Sequence, residues 1–179
     1  MTTIPGFTEI LEPSDNDRLL IRDISESETK FISRESLVGT SFGSFSMDGN
    51  TTATTIATAG TYTKVLGTST DGSSSFVTLS NGRITYTGVE DRHFIAIAAL
   101  STTASANNKI AAFKFAKNGT VSGHPIRRAI STGADIGAAP VQWDGILSTN
   151  DYIELFITCI TDTTSITVED LHLMISGTA

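Results

Sequence analysis

The chain has 179 residues, with 19 acidic and 12 basic side chains and a formal net charge of −7. That length holds one domain with a real core plus a small extra element, and not two full domains. An acidic balance argues against nucleic acid or an anionic membrane surface as partner, since both need a basic face. Cys159 is the sole cysteine, so neither an intramolecular disulfide nor a thiolate metal cluster is available.

Met1-Thr2-Thr3-Ile4-Pro5-Gly6 has no basic stretch followed by an apolar one, so no signal peptide is expected there. No apolar run approaches the roughly 18 residues that span a bilayer. The longest, Phe94–Leu100, has the length of a core strand.

In chain order, residues 1–39 form a short charged arm. Residues 9–35 hold 8 acids and 4 bases, a charge of −4, which leaves −3 for the rest. Within the arm, Asp17–Ile24 is an apolar run bracketed by charges and predicts one strand. Ser25–Glu28 is a polar turn, and Thr29–Ser33 predicts a second strand. Arg34–Val38 reads as a helical turn capped by Ser33. Two strands and a turn bury no core of their own, so the arm is expected to need a partner surface.

Residues 40–179 read as a β head. Gly39–Phe45 is a linker or first strand. Thr61–Leu66 is a strand closed by Gly67. Ser75–Ser80 and Arg83–Thr87 flank Asn81-Gly82, the strongest short-range hairpin signal, because both central turn residues need positive φ. Arg92–Ser101 is apolar on both faces, as in a central strand, and Lys109–Ala116 is the next strand, closed by Lys117-Asn118-Gly119. Residues 122–145, with Gly123, Pro125, Gly133, Gly137, Pro140 and Gly145, read as irregular. Asp151–Ile160 alternates cleanly, and after a turn over Thr161–Ser165, Ile166–Val168 and Leu171–Ile175 finish the chain. Short strands at this spacing predict an all-β, antiparallel two-sheet sandwich, and periodicity alone leaves open whether it is immunoglobulin-like or a jelly roll.

No constellation of catalytic side chains stands out. Asp15 with Asp17, and Glu169 with Asp170, are carboxylate pairs without further oxygen ligands in sequence reach. His93, His124 and His172 fit no metal spacing and read as surface or interface positions. Cys159 reads as a small buried hydrophobe. Asn50-Thr51-Thr52 and Asn118-Gly119-Thr120 match the glycosylation pattern as a threonine-rich chain does by chance. Trp143 is either a sugar or partner anchor or a plug over a sheet end.

Two resemblances extend this reading. The series Gly60-Thr61-Tyr62, Asn81–Gly88, Phe94-Ile95-Ala96, Lys117-Asn118-Gly119, Leu147–Leu155 and a final apolar strand is similar to the trimeric jelly-roll heads of the complement and tumour-necrosis-factor type. It covers residues 42–179 and implies an antiparallel two-sheet jelly-roll sandwich. In the arm, residues Asp15 through Leu37, with the run Asp17-Arg18-Leu19-Leu20-Ile21-Arg22-Asp23-Ile24-Ser25, then Thr29-Lys30-Phe31-Ile32 and a turn ending at Leu37, resemble a module of tailed-bacteriophage fibre and capsid-decoration proteins.

Together these resemblances imply a bacteriophage virion protein made in the host cytoplasm. It is expected to be a homotrimeric capsid-decoration (cement or head-fibre) protein whose arm docks on the lattice of the major capsid protein, with no enzymatic activity, metal or cofactor. Docking is expected through Leu19, Ile21, Ile24, Phe31, Ile32 and Leu37, with Arg18, Arg22, Lys30 and Arg34 setting register. The strands are rich in Thr, Ala and Ser, and so lean in apolar bulk. A trimer interface is therefore expected to add burial, with Tyr62, Tyr86, Phe113, Phe115, Tyr152 and Phe156 as candidates. The alternative is the receptor-binding tip of a tail fibre, with the loops around 102–108 and 122–145 on a host-surface glycan.

Overall fold

The structure, a computed structural model, describes residues 18–23, 28–33, 40–132 and 134–178, the first two stretches by their strand pairing alone. The chain divides into two compact units, Met1–Gly39 and Thr40–Ala179.

In the first unit, β1 (Arg18–Asp23) and β2 (Glu28–Ser33) pair antiparallel. Leu19 lies opposite Ile32 and Ile21 opposite Lys30. Phe31, opposite Leu20, falls on the other alternation of the ladder, as do Arg18 and Arg22. The expected docking positions are thus split between the two sides of the hairpin's register. The turn at Ser25–Ser27, the helical turn at Arg34–Val38, the pair Asp15 and Asp17, and the docking positions Ile24, Leu37 and Arg34 lie outside the described residues.

The second unit contains β3 (Phe42–Met47), β4 (Thr63–Lys64), β5 (Thr70–Ser75), β6 (Val77–Ser80), β7 (Arg83–Tyr86), β8 (Arg92–Ala104), β9 (Lys109–Lys117), β10 (Thr120–Ile130), β11 (Gly137–Leu147), β12 (Tyr152–Cys159) and β13 (Ile166–Gly177). They form two antiparallel sheets. One is five-stranded in the order β11-β8-β13-β3-β5. The other is six-stranded in the order β10-β9-β12-β7-β6, with β4 on the free length of β12. The chain passes repeatedly between the two sheets, whose inward residues fill one core. This is a jelly roll.

Local chemistry accounts for the turns. Asn81 and Gly82, at φ of 51° and 67°, join β6 to β7; Asn118 and Gly119, at 53° and 75°, join β9 to β10. Both pairs sit in the left-handed region that a type I′ hairpin demands.

The stretch 122–145 is not irregular: it holds most of β10 and β11. Pro125 lies in the register break of β10 between Ser122 and Ile126, where no ladder donor is needed, and Gly123 has φ of 74° there. Pro140 is tolerated because β11 is an edge strand paired only with β8. The two terminal runs are one strand, β13, bulged at Glu169 between Val168 and Asp170. β5 was not foreseen. It is an almost wholly exposed edge strand without apolar alternation, and it carries Gly72.

The core is filled by every second residue of each sheet. Phe94, Ala96, Ala98 and Leu100 of β8 lie buried with Leu171, Leu173 and Ile175 of β13, and with Val141 and Trp143 of β11. Ile84 and Tyr86, Phe113 and Phe115, and Ile153, Leu155, Ile157 and Cys159 fill the other side of the same cluster. Tyr86 packs edge-on against Phe94, with ring centroids 5.0 Å apart, and its hydroxyl donates to the Glu90 carbonyl at 2.8 Å. Cys159 is buried, as expected.

Carboxylates clamp the loops. Asp162 accepts from Lys109 Nζ at 2.6 Å and from the Thr164 N–H at 2.9 Å, tying the start of β9 to the turn after β12. The Lys109 hydrogen bond, helped by Thr164, holds its carboxyl well below the ordinary value of 3.8. Asp151 accepts from Asn118 Nδ2 and the Ser148 N–H and pairs with Lys117 Nζ at 2.7 Å. Burial pushes its carboxyl up, but these partners together outweigh that and lower it. Asp170 is lowered chiefly by the Ser101 hydroxyl at 2.6 Å and the Gly49 N–H at 3.0 Å. The pair Glu169 and Asp170 therefore joins strand ends, with Glu169 accepting from Thr103 Oγ1.

For groups depressed in the folded state, the stabilisation is complete above the unfolded value and is lost as pH falls through the folded one. The unfolding midpoint is therefore expected to be flat above about pH 5 and to fall below about pH 4. Asp162→Asn should give a shallower acid limb in a thermal-unfolding series; an unchanged acid slope would contradict the clamp.

Candidate functional site

Alternation that turns one face of each sheet inward presents the other to solvent. On the five-stranded sheet the outward ladder sets large apolar side chains among small polar ones. One row runs Phe42, Ser176, Ile95, Asp144; the next runs Ser44, Met174, Ile97, Gln142; the next runs Ser46, His172, Ala99, Pro140. Ile146 lies opposite His93 at one end. Phe42, Ile95, Ile97, Ile146 and Met174 are exposed by 39%, 46%, 40%, 56% and 45%. Five large apolar side chains on four adjacent strands make a continuous patch, which in a soluble protein marks a contact surface.

The patch is bordered by a groove of about 740 Å³, where the bulge of β10 faces β11. Ile95, Ile126, Pro140 and Trp143 line its floor, and His124, Gln142 and Asp144 its rim. Trp143 is 8% exposed, and its Nε1 donates to Ser122 Oγ at 2.8 Å. Its ring belongs to the core in mid-strand, with only an edge on the groove, so it packs inward rather than standing out as a platform. His93 approaches Asp144 at 3.5 Å on the exposed surface, and His124 and His172 are also exposed. Among the described residues, no three His, Cys, Asp or Glu side chains gather as a metal site.

The expected interface residues separate into two groups. Tyr86, Phe113 and Phe115 are 0%, 0% and 1% exposed, inside the head's own core. They have no surface to give to another copy, and their assignment to an interface is corrected. Tyr62, Tyr152 and Phe156 are half-buried on the outward face of the six-stranded sheet. The apolar patch was missed, although one signal for it was present. Phe94–Leu100 is apolar at every position, and only one alternation of a strand can face a given core.

No protein-family model matches the sequence, and no curated protein matches it. Solved structures align with it at low identity. Murine APRIL at pH 5.0 aligns with a TM-score of 0.49 at 8% identity, covering 78% of this chain and 99% of that one. The Eiger TNF of S. frugiperda gives 0.46 at 11% identity, covering 78% and 94%. The PRD1 vertex protein P5 gives 0.44 at 10% identity, covering 98% of this chain and 90% of that one. Similarity at this level is one of fold alone.

Placing Phe113 in the core makes a prediction. Phe113→Ala should lower folding stability by about 3–5 kcal/mol. The loss should appear in denaturant unfolding of whatever species wild type forms. A variant as stable as wild type, but altered in molar mass, would return Phe113 to an interface.

Proposed function

We propose that this chain is a virion structural protein, a capsid decoration protein whose heads associate as a homotrimer and whose arm docks on the assembled capsid lattice. The observation that carries the reading is the apolar patch of the five-stranded sheet, borne by a head unit distinct from a short charged hairpin. The occupant of the patch is a second copy of the head. The patch bears no cation and a single carboxylate at its edge, so it complements another apolar surface rather than a charged one. Removing such side chains from water contributes about 25 cal/mol per Å². Three-fold association multiplies the arm's contacts by avidity, and binding only to the assembled lattice stabilises that lattice by linkage. The function is mechanical and needs no catalytic group; its place is the capsid surface.

Light scattering after size exclusion should give the mass of a trimer, and Ile97→Glu should dissociate it. An unpaired carboxylate in an apolar contact should raise the dissociation constant about a hundredfold or more, equivalent to about 3 kcal/mol. A wild-type monomer at micromolar concentration, or a trimer indifferent to the change, would refute the patch as an interface.

Deleting residues 1–39 should leave a folded, associating head that no longer sediments with capsids. A truncated head that still decorates them would show that the arm is not the anchor.

A further inference from the structure

The outward face of the six-stranded sheet has the opposite character to the apolar patch. Three consecutive ladder rows carry its side chains. Arg83 lies opposite Glu154, which lies opposite Ala116; Lys64 lies opposite Phe156, which lies opposite Lys114; and Thr158 lies opposite Ala112, which lies opposite Arg127. Of the head's eight lysines and arginines, four are therefore in these rows, against one of its eleven carboxylates. The head as a whole is acidic, so this concentration is a local inversion of charge.

The one carboxylate is almost wholly covered. Glu154 is 2% exposed and pairs with Lys64 Nζ at 2.7 Å and Arg83 Nε at 3.1 Å, which fixes both cations in place. Lys114 and Arg127 have no carboxylate partner among the described residues. Two of the four cations stand over aromatic rings: the Arg83 guanidinium lies 3.8 Å from the Tyr152 ring centroid, and Lys114 Nζ lies 5.5 Å from that of Tyr62. Burial pushes the Tyr62 phenol above its ordinary value, and the nearby charge of Arg127 acts against that rise. Ala112 and Ala116 keep the floor between the cations low.

We infer that this face is a binding platform for an anionic polysaccharide, one whose sugars carry carboxylates of the uronate or sialate class. Rows on one face of a sheet repeat every ~7 Å, so the cations extend over about 14 Å along the strands, a reach suited to a polymer rather than a single small anion. The half-buried tyrosine rings hold Arg83 and Lys114 on this face by cation–π contact, and the cations take the carboxylates of the sugars. The platform lies on the sheet opposite the apolar patch. It is independent of the capsid reading, and failure of capsid binding leaves it intact.

The test is affinity electrophoresis of the full chain at low salt in gels containing polygalacturonate, neutral dextran or oligo(dT). Polygalacturonate should retard the protein, and dextran and oligo(dT) should not. The double variant Lys114→Ala with Arg127→Ala should bind about tenfold more weakly or worse. Neither side chain holds an ion pair among the described residues, so its unfolding midpoint should stay near wild type. Tyr62→Ala should weaken binding while Tyr62→Phe, which keeps the ring, retains it; Arg92→Ala on the other sheet should change nothing. Failure to bind polygalacturonate, equal retardation of the double variant, or retardation by dextran or oligo(dT) as strong as by polygalacturonate would each overturn the platform.

Discussion

The head depends on one constraint, the period of two along each strand. A jelly roll has a single core between its sheets, so each strand gives one alternation to that core and is left with the other. In β8 the inward set is Phe94, Ala96, Ala98 and Leu100, and the outward set is His93, Ile95, Ile97 and Ala99. Packing decides the first set. The second is free of that demand, and its composition carries information about what the surface meets. One sheet sets large apolar side chains among its outward positions, the other cations and rings.

The cationic face shows how such a surface is kept rigid. A carboxylate with the exposure of Glu154 loses most of its hydration, a cost of several kcal/mol that only close partners offset. Lys64 and Arg83 supply that compensation from β4 and β7, the two short strands that share β12. The same contacts hold two long, entropically costly side chains in one geometry. β4 has only two residues in its ladder, so the Lys64 ion pair also helps seat it.

How much of this was legible in the sequence follows from which signals are local. Asn81-Gly82 and Asn118-Gly119 announced their turns because the required φ is a property of the residues themselves. β12 was legible because Tyr152, Glu154, Phe156 and Thr158 alternate with Ile153, Leu155, Ile157 and Cys159. The positions of Pro125 and Pro140 were not, since proline reads as a breaker until a bulge or an edge strand is known to surround it. β5 had no apolar period to show. The misplacement of Phe113 and Phe115 was avoidable: they alternate with Lys114, which assigns them to the inward phase of β9. The misjudged quantity was aromatic size, taken as a sign of an interface where phase was the better guide.

The lean composition of the strands also has a structural explanation. Ala96 and Ala98 on β8 and Ala111 on β9 are fully buried beside Phe94, Phe113 and Phe115. Large and small side chains alternating within a sheet let two sheets interdigitate at native density, so small residues here reflect close approach rather than a thin core. Gly43 makes the point sharply. A Cβ on it would lie 2.5 Å from Val77 Cγ2, across the gap between β3 and β6. The core of one head is therefore complete without a neighbour's help. The apolar patch cannot be explained as burial owed to folding. Its five large apolar side chains lie on the outward face, and their presence on four neighbouring strands is better understood as a surface shaped for contact.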